Sequence, residues 1–142
     1  MITEDYVSFE TAKLLKEKEF KGNSIFTIYD ENAANAYIKE LQEKHLPYSS
    51  DNPKLKEFYY TQPTLQMAMK WLREDKKILI SIFCHIDKGY WFCIQHFIES
   101  PYKFATSESI HRKEEILGKI QYYDTYEGAC EAAIKYCLEH LI

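Results

Sequence analysis

Two apolar runs, Ile78 to Ile86 and Tyr90 to Ile98, stand on either side of Asp87-Lys88-Gly89. A short polar turn with a glycine free to adopt positive φ, between β-rich runs, reads as a β-hairpin. Neither run alternates cleanly. Ile80, Ile82, Cys84 and Ile86 fall on one face of the first strand, and Leu79, Ser81, Phe83 and His85 on the other. A sheet apolar on both faces must be covered on both, by its own chain or by a partner. The rest of the chain therefore has to supply covering layers.

Helical spacing supplies them. Ser8 is a cap, and Phe9, Ala12 and Leu15 follow on one face, with Gly22 placed to stop the helix; the spacing predicts a helix over Phe9 to Phe20. Ser24 to Tyr29 reads as a short strand, and Glu31 to Lys44 as a second helix with Asn32 as its cap. Leu46 to Lys56, with Pro47 and Pro53, has loop composition. Thr61-Gln62-Pro63 opens a helix that carries Leu65, Ala68, Met69 and Leu72 on one face and ends near Asp75. Ser100 to Lys113 reads as loop and Leu117 to Tyr123 as a strand. Asp124 and Glu127 then start a last helix, lined by Tyr126, Cys130, Ala133, Ile134, Cys137 and Leu141. The expected fold is α+β: a small antiparallel sheet built around the central hairpin, packed by three or four helices. Its expected core is Leu65, Leu72, Ile80, Ile82, Phe83, Phe92, Ile134, Cys137 and Leu141.

Composition narrows the function. The chain has 142 residues, one domain's worth, with 18 Lys+Arg against 22 Asp+Glu and a net charge of -4. Arg73 and Arg112 are its only arginines, which speaks against a dedicated nucleic-acid binder. Lys54, Lys56, Phe58, Tyr59 and Tyr60 do interleave charge and rings, but Glu57 sits among them. Four scattered glycines leave no phosphate loop and no nucleophile elbow. The longest apolar run is a strand's length, so no membrane span is expected. The start of the chain lacks a secretory pattern, so the expected location is cytoplasmic, with reduced thiols.

Four cysteines raise the question of a metal or a nucleophile. Cys130 and Cys137 lie seven apart on one helix face, about 10.5 Å between Cα atoms, too far to share an ion. A hairpin loop of two or four residues would set Cys84 directly opposite Cys93, with His85 and His96 together on the other face, on the order of 13 Å apart. That spacing suits no zinc site, so no metal and no cofactor are expected, and the thiols read as small core residues. His45, His111 and His140 sit in polar surroundings and read as solvent-facing. A site assembled in three dimensions would draw on Cys84, Cys93, His85 and His96, or pair Cys93 with His45 or His111. Glu74-Asp75 and Glu114-Glu115 read as solvated faces.

The 12 tyrosines are the other unusual feature, with Tyr59-Tyr60, Tyr90-Trp91 and Tyr122-Tyr123 in pairs. Half-buried strand positions account for many such rings. Tyr and Trp are also enriched in binding surfaces, which makes Tyr59, Tyr60, Tyr90 and Trp91 the binding candidates.

Three stretches, Tyr6 to Lys18, Pro63 to Glu74 and Tyr126 to Ile142, resemble an uncharacterised family of small proteins from Bacteroides-type gut bacteria, their prophages and phages. The resemblance implies a cytoplasmic protein of a phage or mobile element. It implies no reaction and carries over no functional residue, and Asn23 to Tyr60 departs from it. The expectation is a non-enzymatic interaction protein, a homodimer or the binder of another protein. The alternative is a small enzyme or ligand-binding domain with a Cys/His site.

Overall fold

The computed structural model describes residues 3–22, 24, 26–49, 51–96 and 121–142. Five helices and two antiparallel two-stranded sheets make up those residues, an α+β fold. The loop expected at Ser100 to Lys113, and Leu117 to 120 of the expected last strand, lie outside the described residues.

Helix α1, Phe9–Glu17, starts where Ser8 Oγ accepts the Thr11 N–H at 3.2 Å. Its stop is not Gly22. Glu19 takes φ 60°, and the N–H groups of Glu19 and Phe20 bond the carbonyls of Lys16 and Leu15 at 3.1 and 2.9 Å. These two bonds satisfy carbonyls that the helix end leaves unpaired. Gly22 instead lies against the Phe20 ring, where a Cβ would collide with ring atoms.

Strand β1, Thr27–Tyr29, pairs with β2, Tyr59–Thr61, through three rungs, Thr27 opposite Thr61, Ile28 opposite Tyr60 and Tyr29 opposite Tyr59. Between them lie α2, Glu31–Glu43, and α3, Pro53–Lys56. Asp30, not Asn32, caps α2, its Oδ1 accepting the Ala33 N–H at 3.1 Å. The segment expected as loop contains the single turn α3 because Asn52 accepts the Lys54 N–H and Pro53 fits the first position, where its missing N–H costs nothing. Thr61 belongs to β2, so α4, Leu65–Asp75, opens later than expected, with Thr64 Oγ1 accepting the Met67 N–H at 3.1 Å. The chain before α1 braces this start: Leu65 N–H bonds the Asp5 carbonyl and Val7 N–H the Pro63 carbonyl.

Strands β3, Ile78–His85, and β4, Gly89–His96, form the expected hairpin, with Gly89 at φ 101°. Its loop is Ile86-Asp87-Lys88, three residues, and His85 pairs with Gly89. Tyr123 makes a single bridge to Tyr90 on the far edge of β4. Helix α5, Tyr126–His140, is capped by Thr125, whose Oγ1 accepts the Gly128 N–H at 2.9 Å; the Asp124 start is one residue early.

Helices α4 and α5 pack on one face of β3–β4, and α1 packs on α5. Leu65, Leu72, Ile80, Phe92, Ile134 and Cys137 are buried as expected, and Ile82 and Leu141 are partly buried against them. Each fully buried Leu or Ile contributes about 1.5–3 kcal/mol. Phe83 is a correction: it is 45% exposed. It shares the Leu79–Ser81 face, while the helices cover the Ile78–Ile80–Ile82 face. A carboxylate ties α5 to α1: Glu131 Oε1 accepts the Ser8 N–H at 3.0 Å and the Thr11 hydroxyl at 2.5 Å, at the positive end of the α1 dipole.

Candidate interaction surface

The three-residue loop changes what the hairpin brings together. Cys84 lies opposite Tyr90, and Cys93 opposite Ser81. The two thiols are therefore three rungs apart and, since side chains alternate with period two, on opposite faces. Sequence reasoning placed them on one rung because it took loops of two or four residues. His85 and His96 stand at opposite ends of the ladder, opposite Gly89 and Ile78 respectively, seven rungs apart where four were expected. The four candidates Cys84, Cys93, His85 and His96 are not brought together.

Cys130 and Cys137 are fully buried. Burial pushes the Cys130 thiol up to about 11 and the Cys137 thiol up to about 12, so both stay protonated at neutral pH. His45 is exposed at φ 56°, the residue that ends α2, and His140 is exposed beside Glu139. Glu74 and Asp75 are exposed, while His111, Glu114 and Glu115 lie outside the described residues. Among the described residues no group of three His, Cys, Asp or Glu side chains could hold a metal ion. No helix of the described residues is long and apolar enough to cross a membrane.

The binding candidates separate clearly. Tyr60 turns toward α1, where the Phe9 ring meets it edge-on at 5.6 Å and the Lys16 ammonium lies 4.6 Å from its centroid. Lys16 also donates to the Glu57 and Tyr59 carbonyls. Tyr90 is half-buried with its ring edge-on to Tyr126, and Trp91 is half-buried and stacked on Phe83 at 4.6 Å. Tyr59 alone of the four is exposed, at 51%. The interleaved lysines do not gather around it: Lys54 lies over Tyr37, which leans on Phe58.

Tyr59 has a partner that sequence reasoning missed. Tyr29 sits directly across the rung, with ring centroids 4.6 Å apart and 38% exposure. Phe26, 45% exposed, continues the strand and meets Tyr6 edge-on at 4.7 Å. Tyr29 lies 30 residues before Tyr59, so only the pairing of two three-residue strands reveals them as one feature.

Beside Tyr59 the surface dips into a hollow of about 130 Å³ walled by Ala12, Leu15, Lys16, Phe20 and Thr61. Phe20 also walls a second hollow of about 300 Å³, floored by Met67 and Trp71 and rimmed by Lys21, Lys70, Glu74 and Asp75. The Phe20 ring stands edge-on to Trp71 at 5.3 Å. Rings thus run from Tyr29 and Tyr59 past Phe20 to Trp71, with charges of both signs at the margin. Comparison of the chain with protein-family models, with curated proteins and with solved structures finds no match in any of the three.

Proposed function

We propose that this chain is a non-enzymatic interaction protein that binds another protein through the aromatic face of the β1–β2 ribbon. The observation that carries the reading is the Tyr29–Tyr59 pair: two rings 4.6 Å apart and tilted by 32°, directly opposed in register, facing outward. Tyr offers a wide apolar body, a hydroxyl and little side-chain entropy to lose, the combination enriched where proteins bind one another. The neighbouring hollows supply concave ground for a partner's side chains. The dispersal of Cys84, Cys93, His85 and His96 favours binding over catalysis. A cytoplasmic setting and an origin in a phage or mobile element belong to the same proposal and rest on the resemblance of the three helical stretches.

The test is affinity capture from a Bacteroides-type host carrying the element. Wild type, a Tyr29→Ser/Tyr59→Ser variant and a Phe83→Ser control serve as baits, and the captured protein is then purified and its Kd measured. The reading expects a partner held by wild type and by the control, with affinity reduced at least about tenfold in the double variant, the loss of one well-packed aromatic anchor. Equal affinity for all three baits would overturn it.

A further inference from the structure

Strand β3 pairs with β4 through eight consecutive rungs without a bulge, and among the described residues the sheet has these two strands. Tyr90 spends its N–H and C=O on Tyr123, at 2.8 and 2.7 Å, and so turns them away from β3. Its rung with Cys84 is therefore a non-hydrogen-bonded one, and antiparallel rungs alternate. It follows that Ile78, Ile80, Ile82 and Cys84 direct their backbone groups to the outer edge of β3. Among the described residues no backbone group pairs with them there.

Natural edge strands are guarded by charge, proline, bulges or brevity. From Ile78 through Cys84 the sequence has no charged residue, no proline and no glycine. Its order is also symmetric about Ser81: Ile80 and Ile82 flank it, then Leu79 and Phe83, then Ile78 and Cys84. We propose that the outer edge of β3 binds the same edge of a second copy of this chain, antiparallel about a two-fold axis at Ser81.

Three consequences of that register agree with one another. First, Ile80 meets Ile82 of the second copy, and Ile78 meets Cys84, so the outward-directed backbone groups of both copies face each other. Second, every pair joins positions of equal parity, so the helix-covered face of one copy continues into that of the other. Third, Phe83, 45% exposed, comes to lie beside Leu79 of the second copy. This surface is separate from the Tyr29–Tyr59 face, and either can fail without the other.

The 142-residue chain should show twice 16.9 kDa by light scattering. Ser81→Lys sets two ammonium groups against each other on the axis and should return the monomer mass with the circular dichroism spectrum retained. Ser81→Cys, made with Cys84→Ser and Cys93→Ser, sets two thiols on a non-hydrogen-bonded rung at disulfide distance, and mild oxidation should link the copies. Phe83→Cys in the same background, four rungs from its own symmetry mate, should not link. A wild type that stays monomeric at its solubility limit, or a dimer that Ser81→Lys leaves intact and Ser81→Cys does not link, would overturn the proposal. If Ser81→Lys fails to fold, the linking pattern decides.

Discussion

The two ribbons are built on the same antiparallel pairing and are held by different physics. The β3–β4 ribbon has eight rungs, and α4 and α5 cover one of its faces, burying Ile78, Ile80, Phe92 and Ile94. The β1–β2 ribbon has three rungs and buries none of its six residues fully. It is fastened instead by polar and ring contacts. Lys16 bonds the Glu57 and Tyr59 carbonyls, Lys13 pairs with Asp30 at 3.1 Å, and both ammonium groups lie over Tyr60. A three-rung ribbon cannot bury enough area to hold itself. Its outward rings therefore add little to folding, which fits the binding role proposed for Tyr29 and Tyr59.

The sharpest way to break this contrast is to delete side chains from each ribbon. Ile94→Ala should cost about 2–5 kcal/mol, since Ile94 is 2% exposed and the helices above it cannot fully collapse into the space. Tyr59→Ala should cost about 0.5–1 kcal/mol, the value of a cross-strand aromatic pair. Urea unfolding at constant m-value measures both. Similar costs at the two sites would mean that the short ribbon is part of the core after all.

Gly89 comes next. It combines φ 101° with a close approach, because a Cβ there would sit 2.5 Å from the Tyr123 carbonyl oxygen. Gly89→Ala should lose about 1–2 kcal/mol from the backbone conformation alone. The displaced Tyr123 carbonyl adds to this and should speed amide exchange at Tyr90. An alanine that leaves the melting temperature unchanged would show that the turn can re-form with Tyr123 elsewhere.

The hairpin itself was legible in the sequence because two β-rich runs and a glycine stand together locally. Its register was not, since a polar turn does not state its own length, and one residue more or less turns every side chain over. That is how Cys84 falls on the rung of Cys93 in the sequence reading; Phe83 enters the expected core for another reason, that both apolar faces were expected to be covered, whereas α4 and α5 cover the Ile80 face. The helix faces were legible for the same local reason, and Ser8 marked the start of α1. The helix ends were not. Glu19, His45 and Lys77 all take φ between 56° and 60° just past a helix, where sequence patterns look for glycine. The short ribbon was the least legible, with strands of three residues separated by two helices. The Tyr29–Tyr59 pair exists only through that pairing.

Those helix ends give a smaller test with the opposite sign. A non-glycine residue in the left-handed region carries a conformational cost that glycine avoids. Glu19→Gly should stabilise by up to about 1 kcal/mol. Lys77→Gly should gain less, because it also loses the bond from Lys77 Nζ to the Glu74 carbonyl at 2.9 Å. Thermal melts of the two variants rank the effects, and an equal gain would assign no value to the Lys77 bond.

Acid should separate the ribbons with the gentlest perturbation. The Ala33 N–H and then the Lys13 ammonium hold the Asp30 carboxyl below its ordinary value of 3.8. A carboxyl lowered by folding contributes stability that is present above the ordinary value and is lost as pH falls through the lowered one. The β1–β2 ribbon, whose last residue Tyr29 adjoins Asp30, should therefore loosen as pH drops below 3.8. The β3–β4 ladder contains no Asp or Glu between Ile78 and His85 or between Gly89 and His96, so it lacks this local cause. Amide exchange as a function of pH, corrected for intrinsic rates, should show protection falling first at the Asp30 N–H, which bonds the Phe58 carbonyl at 2.9 Å, with β3–β4 holding longer. Asp30→Asn keeps an acceptor for the Ala33 N–H and removes the charge, so it should start weaker at neutral pH and lose less on acidification. If both ribbons open together in wild type and the variant has the same pH profile, the short ribbon is held by something other than the Lys13–Asp30 contact, and the contrast between the two ribbons would have to be redrawn around the rings on Tyr60.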